Sequence, residues 1–196
     1  LKNIGSYTFG NCYGMESVDF PSPLTYLGYG AFACCTALNT VDLSVCSNLT
    51  TISGSAFENC SSLENLTLPS KLNTIGSYAF RGCKQMDTNL PEQITTIGFA
   101  AFYECNSLSS LIIPKGVTSI EDLTFYNCSS AKKIELHDKI ECIGKRAFDG
   151  CSSLEEITLS NHIDSLPLFR GCNSLKEIHT STKYFVRNGG AIYNKD

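Results

Sequence analysis

A phenylalanine followed three residues later by a cysteine recurs eight times along this chain. The pairs are Phe9/Cys12, Phe32/Cys35, Phe57/Cys60, Phe80/Cys83, Phe102/Cys105, Phe125/Cys128, Phe148/Cys151 and Phe169/Cys172. Successive phenylalanines are 21 to 25 residues apart. A unit this short cannot bury its own apolar face, but stacked copies can, so the period predicts one continuous solenoid. A chain of 196 residues with 42% hydrophobic content could otherwise make one or two globular domains.

Aligned on the pair, the unit reads IGxxAFxxCxxLxxLxLPxxLxx, about 23 residues long. In LxL the apolar residues alternate, so the residue between them faces the other way, as in a strand. Proline directly after it (Pro21, Pro69, Pro91, Pro114) ends the strand, because proline has no amide for a ladder hydrogen bond. In IGxxAF the apolar residues fall on one side of a short helical turn. Two residues past the phenylalanine stands Asn11, Asn59, Gly82, Asn127, Gly150 or Gly171, in six of eight copies. Asparagine and glycine tolerate a left-handed backbone, so this slot reads as a helix C-terminal cap. The phenylalanines should stack as an interior ladder, each burial worth roughly 2–3 kcal/mol.

Eleven cysteines invite a disulfide or zinc reading, yet eight occupy one slot of the repeat, leaving Cys34, Cys46 and Cys142 elsewhere. Zinc sites use close cysteine pairs such as CxxC with a second pair, which this sequence lacks. Buried thiols acting as small hydrophobes are the simpler reading. Disulfides between neighbouring coils are the alternative, and a thiol count on denatured, unreduced protein decides between them. A net charge of −4 gives no electrostatic case for nucleic acid or an anionic membrane. No stretch reaches the roughly 18 apolar residues of a membrane span. The chain opens inside a repeat, at Ile4-Gly5, and we expect it to be a piece of a longer protein.

A cysteine nucleophile needs a base beside it. His137, His162 and His179 sit at different offsets in the repeat, too scattered to suggest either a Cys–His pair or a metal site. The glycines belong to IG or to caps rather than to phosphate loops. Sequons at Asn48, Asn59, Asn65 and Asn127 carry little weight, since two of them follow from the capping asparagine and the next turn. We therefore expect no enzyme, no cofactor and no metal. The one-residue shortening at copy four and the break at copy eight are the places where a pocket could interrupt the repeat.

This unit resembles the leucine-rich repeats of the BspA type, found in surface and secreted proteins of anaerobic bacteria and some protozoan parasites. The resemblance covers residues 1 to about 180. The closing stretch from Tyr184 to Asp196 departs from the unit and is similar to a hairpin segment of that family, with Asn188-Gly189-Gly190 as its turn. The resemblance implies an α/β leucine-rich repeat solenoid with a right-handed coil and about eight repeats. Short parallel strands would line the concave face and short helical turns the convex side. It divides the chain into a solenoid, 1–180, and a C-terminal segment, 181–196. It also implies adhesive binding by a surface or secreted protein, with the signal or anchor outside this piece.

The strand residues that face outward are free to vary while the interior stays fixed. They include Asp19, Asp42, Thr67, Ile112, Lys133, Glu135, Glu156, Thr158, Glu177 and His179. Copy four is one residue short, so its register is approximate. An acidic-to-polar face of this kind is expected to hold a protein or glycan partner, with the piece itself monomeric; polar residues that simply solvate a sheet are the plainer account of any single one. Ile112 stands out as an apolar side chain in mid-face, compatible with a contact hot spot. The competing expectation is a spacer that presents another domain and binds nothing.

Overall fold

The computed structural model describes residues 1–163, 167–179, 184–188 and 191–194. The chain winds into parallel-strand coils, one per repeat, and the LxL strands form one seam of the solenoid. Ser17–Val18, Thr40–Asp42 and Asn65–Thr67 pair in parallel. Ser110–Ile112, Lys133–Glu135, Glu156–Thr158 and Glu177–His179 continue the seam in a second parallel ladder. Tyr184–Asn188 then pairs antiparallel with the last of these strands, and Ala191–Asn194 pairs back on it. The turn at Gly189-Gly190, and residues 164–166 of copy eight, lie outside the described residues.

The return segment carries a second seam that the repeat pattern did not reveal. Two-residue strands ending in the isoleucine of IG pair in parallel, as in Thr51–Ile52, Thr74–Ile75 and Thr96–Ile97. Ile52, Ile75 and Ile97 point inward and are buried, whereas Thr51 and Thr96 are exposed. What looked like the start of a helical turn is the end of a strand.

The segment around each phenylalanine is also not helical. In copy three the amides alternate between two kinds of partner. Ala56, Glu58 and Cys60 donate three residues back, to Ser53, Ser55 and Phe57. Ser55, Phe57 and Asn59 donate to carbonyls of the next coil, at Ser77, Ala79 and Arg81, over 2.6–2.9 Å. A helix would need every amide for itself; here every second one ties two coils together. Left-handed residues two before and two after the phenylalanine turn the chain so that this is possible. The expected cap slot is left-handed in all eight copies, including Cys34 (φ 61°) and Glu104 (φ 58°).

The interior follows the repeat. Phe32, Phe57, Phe80, Phe102, Phe125 and Phe148 are fully buried. From Phe9 to Phe169 their rings stack with centroids 5.0 to 6.4 Å apart, the offset arrangement that aromatic quadrupoles favour. The cysteines form a second ladder beside them. Cys60, Cys83 and Cys105 each donate a thiol hydrogen to the phenylalanine carbonyl of the preceding coil, over 3.1 Å. All eleven cysteines are free thiols.

Candidate functional site

Because strand side chains alternate, the register of the seam dictates which outward residues meet. Lys133 lies beside Glu156 and Glu156 beside Glu177; one step along, Ile112 lies beside Glu135, Glu135 beside Thr158, and Thr158 beside His179. Seven of the ten residues singled out from the sequence therefore form one continuous patch. Asp19, Asp42 and Thr67 lie on the other side of copy four, on or next to the first ladder. Asp42 has a local role there: its carboxylate accepts the Ser44 amide at 2.9 Å. Hydrogen bonds from the Ser44 side chain, and then from its amide, draw the carboxyl pKa below its usual value.

Within the patch the charges are mutually paired. The Lys133 ammonium lies 2.9 Å from Glu135 and 3.3 Å from Glu156. The hydrogen bonds it donates to these two carboxylates, Glu135 first, hold the lysine pKa above its ordinary value. His179 Nε2 lies 3.3 Å from Glu177 and 3.7 Å from Glu156. Glu156, Glu177 and His179 thus place three possible metal donors within 4.8 Å of one another. The histidine offsets in the sequence concealed this, because the neighbours come from an adjacent strand. Contacts among these side chains already account for the geometry, and because the groups stay partly exposed, solvent screens the pairs and they add little to stability.

Copy four interrupts the seam, and the reason is local. Its shortened strand places Thr88 where the other copies have an inward valine, leucine or isoleucine. The Thr88 hydroxyl donates to the Leu66 carbonyl at 3.4 Å. On the other side, Asp87 takes the place of the backbone ladder, accepting the Ser109 amide at 3.2 Å and its hydroxyl at 2.7 Å. Among the described residues no backbone hydrogen bond joins residues 87–90 to either neighbouring strand. Leu66, Leu68 and Leu90 are consequently left only partly buried.

Two clefts open at this break and share Glu92, Ile112 and Pro114. The larger, about 420 Å³, is walled by Leu136, His137 and Glu135. The smaller, about 220 Å³, runs along Thr88–Leu90 and Ser110–Leu111. Ile112, 63% exposed, stands between them. His137 occupies the slot that proline fills in copy five. Its Nδ1 accepts the Lys139 amide at 3.2 Å, so its Nε2 carries the proton and donates to the Pro114 carbonyl at 2.9 Å. The ring is thereby fixed as a wall of the cleft. Sequence reasoning marks Ile112 and the shortening of copy four separately; it takes Pro114 only as a strand end and His137 only as a scattered histidine, and passes over Glu92 and Leu136, because all four follow the strands rather than lie on them.

A family model described as the BspA type leucine rich repeat region matches this chain in six copies, over residues 1–108 and 74–189. Among solved structures, the leucine-rich repeat protein of T. pallidum (TpLRR) is 26% identical with a TM-score of 0.68, over 91% of this chain and 75% of that one. A leucine rich cell surface protein of Faecalibacterium prausnitzii is also 26% identical, with a TM-score of 0.51, over 90% of this chain and 63% of that one. This chain thus spans less than two thirds of the length of the second structure. No curated protein sequence matches it. The matched copies are the same stacked Phe–Cys units that build the two seams, and the chain belongs to the BspA-type leucine-rich repeat family.

Proposed function

We propose that this chain is a non-enzymatic protein-binding module of a surface or secreted protein, which holds its partner on the C-terminal half of the strand face. The observation that carries this reading is the continuous outward patch from Ile112 to His179, set by ladder register on a rigid sheet. Side chains held at fixed spacing cost a partner little ordering on binding, which favours recognition. Surface location is supported by the similarity to the F. prausnitzii cell surface protein. We read 1–180 as the module and 181–196 as a C-terminal non-repeat segment, the start of a hairpin or of a next module.

Charge reversal at Glu135, Glu156 and Glu177 to lysine tests the reading. The fold should persist, since these side chains are at least 39% exposed. Capture of envelope or extracellular-matrix proteins by the immobilised chain should fall by at least about tenfold in affinity, the loss expected when complementary charges become repulsive. Unchanged capture would move the site to another face. Capture of nothing by the wild-type chain would favour the spacer role.

A further inference from the structure

The cleft at copy four supports a more specific statement about the partner, which rests on the reading that the strand face binds protein. We propose that this cleft takes an extended polypeptide segment presenting a branched apolar side chain between basic residues.

The first argument is shape. Ile112 projects between two concavities that share its side chain, and the larger, at about 420 Å³, falls within the ~300–1,000 Å³ range of ligand pockets. Its walls at Pro114 and Leu136 are apolar, and the half-buried Leu66, Leu68 and Leu90 lie across the break. An apolar side chain entering here would cover surface that the missing strand pairing leaves wet.

Backbone chemistry is the second. Strand Ser110–Ile112 has a ladder partner on one side only, because copy four supplies no backbone hydrogen bond on the other. An unpaired strand edge beside a side-chain pocket is the arrangement that extended peptides recognise, main chain to main chain.

Charge decides the flanking residues. Glu92 and Glu135 line the cleft and Glu155, Glu156 and Glu177 the pocket beside it, five carboxylates against the four ammonium groups of Lys115, Lys132, Lys133 and Lys176. The Lys133 group is already engaged by Glu135 and Glu156. The net excess is one negative charge, and it favours a cationic segment. None of the outward residues of this patch, Ile112 to His179, is phenylalanine, tyrosine or tryptophan, so it offers a sugar ring no aromatic face to stack on.

Three acetylated, amidated peptides test the proposal by calorimetry and amide chemical shifts at low salt: Lys-Ile-Lys-Ile-Lys, Lys-Gly-Lys-Gly-Lys and Glu-Ile-Glu-Ile-Glu. The first should bind at least about tenfold tighter than the other two, shifting residues 88–92, 110–114 and 133–137. Ile112→Asp should reduce its affinity by about tenfold or more while leaving the circular dichroism unchanged, as the side chain is exposed. Equal binding of the glycine peptide would reduce the effect to charge alone and overturn the proposal. So would indifference to Ile112→Asp, or shifts confined to other coils. Those results would leave the triple charge-reversal test of the strand face standing on its own outcome.

Discussion

At the scale of single residues, the backbone of this solenoid is held in a conformation that most of its side chains would avoid. Two before each of the first seven phenylalanines of the ladder stand Tyr7, Gly30, Ser55, Tyr78, Ala100, Leu123 and Arg146, all with positive φ although only one is glycine. A left-handed L-residue costs roughly 1–2 kcal/mol, and the inter-coil hydrogen bonds of the same segment offset that cost. Two after the phenylalanine, glycine and asparagine relieve it instead. Gly150 shows the second constraint on this slot: a Cβ there would collide with the Asn127 side chain of the preceding coil. Cys34 and Glu104 are the misfits, left-handed at φ 61° and 58° without either residue's tolerance. Glu104→Asn should therefore stabilise the protein by about 0.5–1 kcal/mol, read as a rise in the urea midpoint at constant slope. No change would mean that the strain is relaxed in solution.

At the scale of elements, the unit of cohesion is the ladder rather than the coil. Strands, alternating turn amides, phenylalanine rings and thiols each run across coils, and the ladder thiols from Cys35 to Cys172 each give a hydrogen to the phenylalanine carbonyl of the preceding coil. Burial raises the pKa of the thiols at Cys60, Cys83, Cys105, Cys128 and Cys151. The sign of the consequence follows from linkage. Below about pH 8.5 the thiols are protonated in folded and unfolded chains alike, so stability is flat in this respect. Above it the unfolded chain releases protons that the fold retains, and stability falls by up to about 1.4 kcal/mol per pH unit for each such thiol. Urea midpoints measured from pH 7 to about pH 10.5 should decline steeply at the alkaline end. A level profile would show that these thiols ionise as readily inside the fold as outside it.

At the scale of the whole molecule, a solenoid is a one-dimensional stack, and its stability is a sum of coil and interface contributions. The weakest interface should be where cross-links are fewest. Copy four keeps its turn ladder, with Tyr78, Phe80 and Gly82 donating to the next coil over 2.7–2.9 Å, but it lacks the strand seam. Hydrogen exchange should therefore find the amides of Asp87, Thr88, Asn89 and Leu90 unprotected, while those of the strands at 111 and 134 exchange only through larger openings. Uniform protection through residues 85–112 would argue for a continuous seam. The same break that weakens the stack creates the cleft beside Ile112, so local stability and binding surface are linked at one position.

The solenoid, its period, the buried phenylalanine and cysteine ladders and the outward strand positions were legible in the sequence, because stacking repeats one environment eight times and selects the same residue types each time. Ile112 and the short fourth copy were visible for the same reason: they are departures from a pattern. What only the tertiary structure decided are the interactions between coils. The turn segment is a ladder and not a helix because alternate amides find partners about 23 residues away, which a local reading of IGxxAF cannot register. The second seam depends on the same neighbours. The Lys133, Glu156, Glu177 and His179 cluster arises from strand register, and the cleft arises where one missing residue and Thr88 take that register away. Periodicity reports what each coil buries; contact between coils determines what the face can hold.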